Sequence, residues 1–118
     1  MSGVVTPVTD DRFVTEVLEA DSPVVVDFSA AWCPPCRVMD PVIADLAADR
    51  PDVRFTKLDV DANQRTATEY GLLSMPTLLV FRHGHEVLRL VGARPKRRLV
   101  EELAPALGSR AEEPATAP

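Results

Sequence analysis

Cysteine is scarce in this 118-residue chain: Cys33 and Cys36 are the only two, which excludes the dense disulfide scaffold of small secreted domains. Histidine is equally scarce, and His83 and His85 stand in a His-x-His arrangement unlike common zinc spacings. No apolar run approaches the roughly 20 residues of a membrane span. From Met1 to Asp11 there is no basic start followed by an apolar stretch of about 7–15 residues. No signal peptide is therefore expected, and the chain reads as cytoplasmic. An excess of positive charge is missing too. With a net charge of −5 and a pI near 4.9, the chain repels nucleic acid and anionic lipid, and its partners are expected to be proteins. The one basic cluster, Arg94, Lys96, Arg97 and Arg98, opens an expected helix and reads as a solvated face or as a docking patch for an acidic partner.

What remains is one ordinary globular domain, expected over residues 1–107, with residues 108–118 read as a disordered tail. Strand-like and helix-like segments alternate, which makes the fold class α/β. Val4 to Val8 fits a short first strand, and Thr9 or Asp10 fits the cap of a helix whose apolar face is Phe13, Val14, Val17 and Leu18. Val24 to Phe28 is β-branched and apolar but for Asp27, as expected of a central strand buried on both faces. A helix is expected from Cys33 to Asp49, with Val38, Met39, Val42, Ile43 and Leu46 inward and a kink at Pro41.

Val53 to Asp59 alternates like a strand, and Asp61 with Gln64 resembles a capping box for a short helix ending before Gly71. Thr77 to Phe81 and Glu86 to Val91 read as an antiparallel hairpin through Arg82-His83-Gly84-His85. The last helix is expected over Pro95 to Leu107, with Leu99, Val100, Leu103 and Leu107 on one face.

The chemistry concentrates in Trp32-Cys33-Pro34-Pro35-Cys36, between the buried strand and the helix start. A thiol at a helix N-terminus sees unpaired N–H groups and the positive end of the dipole, which favour the thiolate on Cys33. Cys36 lies one turn on, within disulfide reach, and would resolve a mixed disulfide formed by Cys33. A zinc site would need two further ligands beyond this pair. Two inert core thiols are the remaining alternative. Asp27 is an acid inside an apolar strand, so desolvation should raise its pKa toward neutrality, where it either moves protons or is held neutral by a hydrogen bond. Lys57 shares a strand face with Val53 and Phe55 and either snorkels or pairs with Asp27. Trp32 is either core or part of a surface around the cysteines.

With VVVDFSAAWCPPC followed by SMPTLLVF and then VGA, residues 8 to 107 resemble the thioredoxin family. The resemblance implies the thioredoxin fold, a central mixed five-stranded sheet flanked by four helices. It further implies a protein disulfide reductase with Cys33 as nucleophile, Cys36 as resolving thiol, Asp27 assisting deprotonation of Cys36, and Lys57 paired with Asp27. It implies a cis Met75-Pro76 bond, which frees the Met75 backbone to pair with an extended substrate segment. Trp32, Pro34, Pro35, Met75, Pro76, Gly92 and Ala93 would form the substrate-binding surface. The implied partners are protein disulfides and a flavin- and NADPH-dependent thioredoxin reductase; the chain itself would need no cofactor or metal, and a monomer is expected.

One departure is Pro34, where the family usually has glycine. CPPC also resembles tryparedoxins and nucleoredoxins, whose longer insertions are not evident here. Pro34 removes an N–H that could stabilise the Cys33 thiolate and stiffens the turn, effects that need not move the redox potential the same way. Competing readings are a dedicated reductant of one partner, an oxidase or isomerase, and a binding module whose cysteines are dispensable.

Overall fold

Every residue of Val24–Ser29 is buried, as a strand with layers on both faces requires. In the computed structural model, which describes residues 3–108, this segment is the middle of a five-stranded sheet. The strands are β1 Thr6–Pro7, β2 Val24–Ser29, β3 Arg54–Asp59, β4 Thr77–Arg82 and β5 His85–Val91, in the order β1-β3-β2-β4-β5. β1, β3 and β2 run parallel, and β4 and β5 join antiparallel. The expected mixed sheet is thus present, with the acid-bearing strand at its centre. Of the tail expected from residue 108, everything after Gly108 lies outside the described residues.

Helices α1 Pro34–Asp49, α2 Gln64–Glu69 and α3 Lys96–Leu107 follow the expected order. The first helix differs: it is a 3₁₀ turn, Asp10–Arg12, running into a π-type turn, Val14–Leu18. Neither expected cap serves it. Thr9 makes no side-chain cap bond, and Asp10 turns to α2 instead, where Oδ1 accepts from the Thr66 N–H at 2.9 Å and hydroxyl at 2.6 Å and Oδ2 from the Arg65 N–H at 3.2 Å. Burial acts to raise the Asp10 pKa, but the bonds from Thr66 and Arg65 outweigh it and leave the carboxyl below its ordinary value. The capping box expected of Asp61 and Gln64 does not form, since the Gln64 amide donates to the Asp61 carbonyl. A carboxylate from 55 residues away does that work, which no local pattern could announce.

Two apolar layers enclose the sheet. On one side α1 and α3 bring Met39, Ile43, Leu46, Leu99 and Leu103 onto Val25, Leu78 and Val80. On the other, Phe13 and Val17 cover Val24, Val26 and Phe28, and Phe13, Tyr70 and Phe81 meet in tilted and edge-to-face contacts with ring centroids 5.4 to 5.7 Å apart. Three residues expected inward are exposed, Val14 in the first helix, Val38 on α1 and Val100 on α3. The latter two each sit one residue off the i, i+4 stripe that their helix buries, about 100° around the axis. α1 continues through Pro41 to Asp49.

The β4–β5 turn places His83 at φ 53° and Gly84 at φ 83°, the two positive angles of a two-residue type I′ hairpin. Three of the four basic residues are matched with acids: Arg94 and Arg98 both bond Glu102, and Lys96 bonds Asp49. These pairs favour the solvated-face reading of that helix start over a docking patch.

Candidate active site

The chain leaves β2 at Ser29, turns, and enters α1 at Pro34, so Cys33 occupies the N-cap position. Pro34 and Pro35 fill the first two helical positions and carry no N–H. The first backbone donor available at this helix end is therefore Cys36, whose N–H points to Cys33 Sγ at 3.3 Å. Cys33 and Cys36 are joined as a disulfide with their Cα atoms 5.3 Å apart, ordinary for such a bond. Both are almost fully buried. Among the described residues no group of His, Cys, Asp or Glu could hold a metal ion.

Facing the disulfide is the loop that leads into β4. The Met75-Pro76 peptide is cis, and the Met75 carbonyl oxygen lies 3.6 Å from Cys33 Sγ. Gly92, at φ 96°, brings the end of β5 against this loop, and its N–H donates to the Pro76 carbonyl at 2.8 Å. A side chain here would be strained in that conformation. Trp32 is not core: it is 66% exposed, and its indole N–H donates to Asp61 Oδ2 at 2.8 Å. The structure thus gathers Trp32, Pro34, Met75 and Pro76 beside Cys33, with Gly92 tied to them through Pro76.

Behind the cysteines lies Asp27, 1% exposed, with its Oδ1 lacking any hydrogen-bond partner among the described residues. Burial, opposed by the nearby Lys57 charge and assisted by that of Asp40, pushes its pKa up to about 7. The hydrogen bond that would simply hold it neutral is not made at Oδ1. Lys57 stands directly across from Asp27 in the β2–β3 register, but the pair expected between them is replaced: Lys57 Nζ donates to Asp40 Oδ1 at 2.9 Å. The ammonium keeps access to water there, which it would lose beside the buried acid. One cavity of about 280 Å³ is lined by Cys36, Asp40, Lys57 and Asp59, and a second, of about 460 Å³, by Asp27 and the same Asp40, Lys57 and Asp59. The shared wall puts the buried carboxyl and the second cysteine on adjoining spaces, each with room for water.

Comparison with known proteins fits this geometry. The thioredoxin family model matches residues 4–105. The chain belongs to the thioredoxin family. It is 46% identical over 98 residues to a thioredoxin of Mycobacterium tuberculosis, covering 82% of this chain and 84% of the relative. It is also 46% identical over 103 residues to a thioredoxin of Mycolicibacterium smegmatis, covering 85% and 92%. A bifunctional thioredoxin reductase/thioredoxin of Mycobacterium leprae is 41% identical over 104 residues, 87% of this chain and 23% of that longer protein. With the bonded CxxC pair at the helix start, membership makes this chain a thiol–disulfide oxidoreductase, a protein disulfide reductase.

Three residues of this thioredoxin-family site had not been singled out from the sequence as part of it. Asp40 lies four residues after Cys36 and hence on the same face of α1; a lone acid among Met39, Val42 and Ile43 was the available signal. Asp61 reads locally as a helix cap, and only the fold brings it to the Trp32 indole. Leu73, 96% exposed, lines a groove of about 500 Å³ with Val60, Ala67, Leu72 and Met75. Nothing in its local pattern sets it apart from a core leucine.

Proposed function

We propose that this chain is a general cytoplasmic disulfide reductase in which Cys33 attacks, Cys36 resolves, and Asp27 takes the Cys36 proton. The observation that carries the reading is the placement of Cys33 Sγ, which accepts the Cys36 N–H and lies 3.6 Å from the carbonyl of Met75, a residue lining the neighbouring groove. In the reduced protein the Cys33 thiolate attacks one sulfur of a substrate disulfide. A Cys33–substrate bond forms, and the other substrate sulfur leaves as thiolate. Cys36 then yields its proton to the Asp27 carboxylate through the adjoining cavities, and its thiolate attacks Cys33 Sγ. The second substrate sulfur leaves, the Cys33–Cys36 bond forms, and two electrons have passed to the substrate.

An extended substrate segment would pair with the Met75 backbone by strand addition, with its side chains against Trp32, Pro34, Pro35, Pro76, Gly92 and Ala93. Lys57 acts on Asp27 through its charge rather than by contact. The fused reductase of the Mycobacterium leprae relative supports a flavin- and NADPH-dependent thioredoxin reductase as the electron source, and that coupling suits a reducing cytoplasm. The chain would act as a monomer.

Substrate turnover with such a reductase tests the assignment. NADPH oxidation in the presence of insulin should require this chain, saturate with its concentration, and fall several-fold for Leu73→Asp, which places a charge in the groove. Undiminished turnover of that variant would remove the groove from substrate binding, and NADPH oxidation independent of this chain would remove the reductase as its partner.

A further inference from the structure

The strand register alone would hand Lys57 to Asp27. The two are directly opposed on parallel strands, about 5 Å apart across the ladder, and an ammonium there would stabilise the Asp27 carboxylate and hold its pKa down. Asp40 intervenes. One turn beyond Cys36 on α1, it accepts the Lys57 ammonium at 2.9 Å, with its own side chain 43% and that of Lys57 40% exposed. Water reaches both partners of that pair, whereas Asp27 is almost fully buried. Lys57 therefore keeps part of its hydration by resting on Asp40.

We infer that Asp40 is a positioning residue, which draws the Lys57 ammonium away from Asp27 and adds a negative charge nearby, so keeping Asp27 protonated to higher pH. Both effects have one sign. Removing a cation and supplying an anion each disfavour ionisation of a neighbouring carboxyl; from where they stand, the Lys57 charge still favours the Asp27 carboxylate and the Asp40 charge opposes it. The other charged residues lining the two cavities are occupied otherwise. Arg37, on α1, donates to the Ala31 carbonyl at 2.5 Å, and Asp59, at the end of β3, accepts the Asp61 N–H at 2.9 Å. From β4 the residue opposite Asp27 is Leu78, and from β1 the cavity wall is Pro7, so neither strand adds a titrating group there. The consequence for catalysis rests on the proposed proton transfer: Asp40 would then set the pH at which Asp27 can serve Cys36.

Carbon NMR of the Asp27 carboxyl across pH, in the oxidised full-length chain, reads this directly and independently of activity. Asp40→Asn should lower the Asp27 midpoint by about one pH unit, roughly tenfold in its ionisation equilibrium, and Asp40→Glu should restore the native midpoint. In a Lys57→Met background Asp40→Asn should have a smaller effect, because only the direct charge remains. A native midpoint in Asp40→Asn, or one that rises, overturns the inference. The pH profile of mixed-disulfide resolution separates the two claims. If the midpoint falls and the profile follows it, both stand; if the midpoint falls and the profile does not, control of Asp27 by Asp40 stands and the assignment of Asp27 to the Cys36 proton falls.

Discussion

Cys36→Ser should accumulate a mixed disulfide between Cys33 and substrate protein, while Cys33→Ser should trap almost none and reduce insulin no faster than dithiothreitol alone. The asymmetry follows from position. Cys33 is the N-cap, with the Cys36 N–H aimed at its sulfur, and hydrogen bonds to a charged sulfur favour the thiolate. Both thiols are buried, which by itself favours the neutral form, but Cys36 lies inside the first turn of the helix and supplies the N–H that offsets this at Cys33. Removing the resolving thiol leaves the first step intact and deletes the second, so the covalent adduct persists until another thiol cleaves it. Removing Cys33 deletes the first step. Gel analysis without reductant, followed by mass spectrometry of the linked peptide, distinguishes the two, and trapping through Cys36 would reverse the assignment.

Asp27→Asn should make the protein more stable above neutral pH and, at the same time, a slower enzyme. Its carboxyl titrates at 3.8 in an ordinary setting and at about 7 in the fold. The fold therefore favours the protonated acid. Between about pH 4 and 7 the unfolded chain has released this proton and the folded chain has not, so stability falls as pH rises through that window and then levels off. A difference of roughly three pH units corresponds to a loss on the order of 4 kcal/mol at alkaline pH.

An asparagine cannot ionise, so it carries no such loss; whatever its amide costs in that site is the same at every pH. The difference between native and variant in urea-unfolding free energy should grow from pH 4 to pH 7 and flatten beyond. A difference that does not vary with pH would show that Asp27 titrates normally. Resolution of the Cys33 mixed disulfide should slow on the order of tenfold to a hundredfold near neutral pH, at or below the usual effect of a positioned base because water also accepts a thiol proton. Unchanged kinetics would leave Asp27 a structural acid.

These two expectations draw on different amounts of sequence. The cysteine pair and the central strand were legible because their signals are local: Val24 to Phe28 has the unbroken apolar character of a strand buried on both faces, and Trp32 to Cys36 sits at its junction with a helix. The hairpin was legible through His83-Gly84, and the observed turn has the two positive φ angles such a pair supplies. Legibility ended where a side chain chooses a partner across the fold. Lys57 was placed on the right face, yet its bond goes to Asp40 on α1. Asp10, offered with Thr9 as the cap of its own helix, caps α2 instead.

Val4 to Val8 looked like one strand, but ladder pairing is limited to Thr6 with Thr56 and Pro7 with Lys57. Alternation and β-propensity cannot say how much neighbouring strand there is to pair with. The short edge strand pairs with β3 at these two positions, and the irregular first helix is tied to α2 through Asp10.

Insulin disulfide reduction driven by dithiothreitol, with the native chain set against Cys33→Ser, Cys36→Ser, tests the central claim most directly. The native chain should accelerate precipitation of the reduced B chain catalytically, at concentrations well below that of insulin, and the double variant should match dithiothreitol alone. Equal rates for the two proteins would contradict a dithiol mechanism and return the chain to the reading in which its surface binds partners and its cysteines are dispensable.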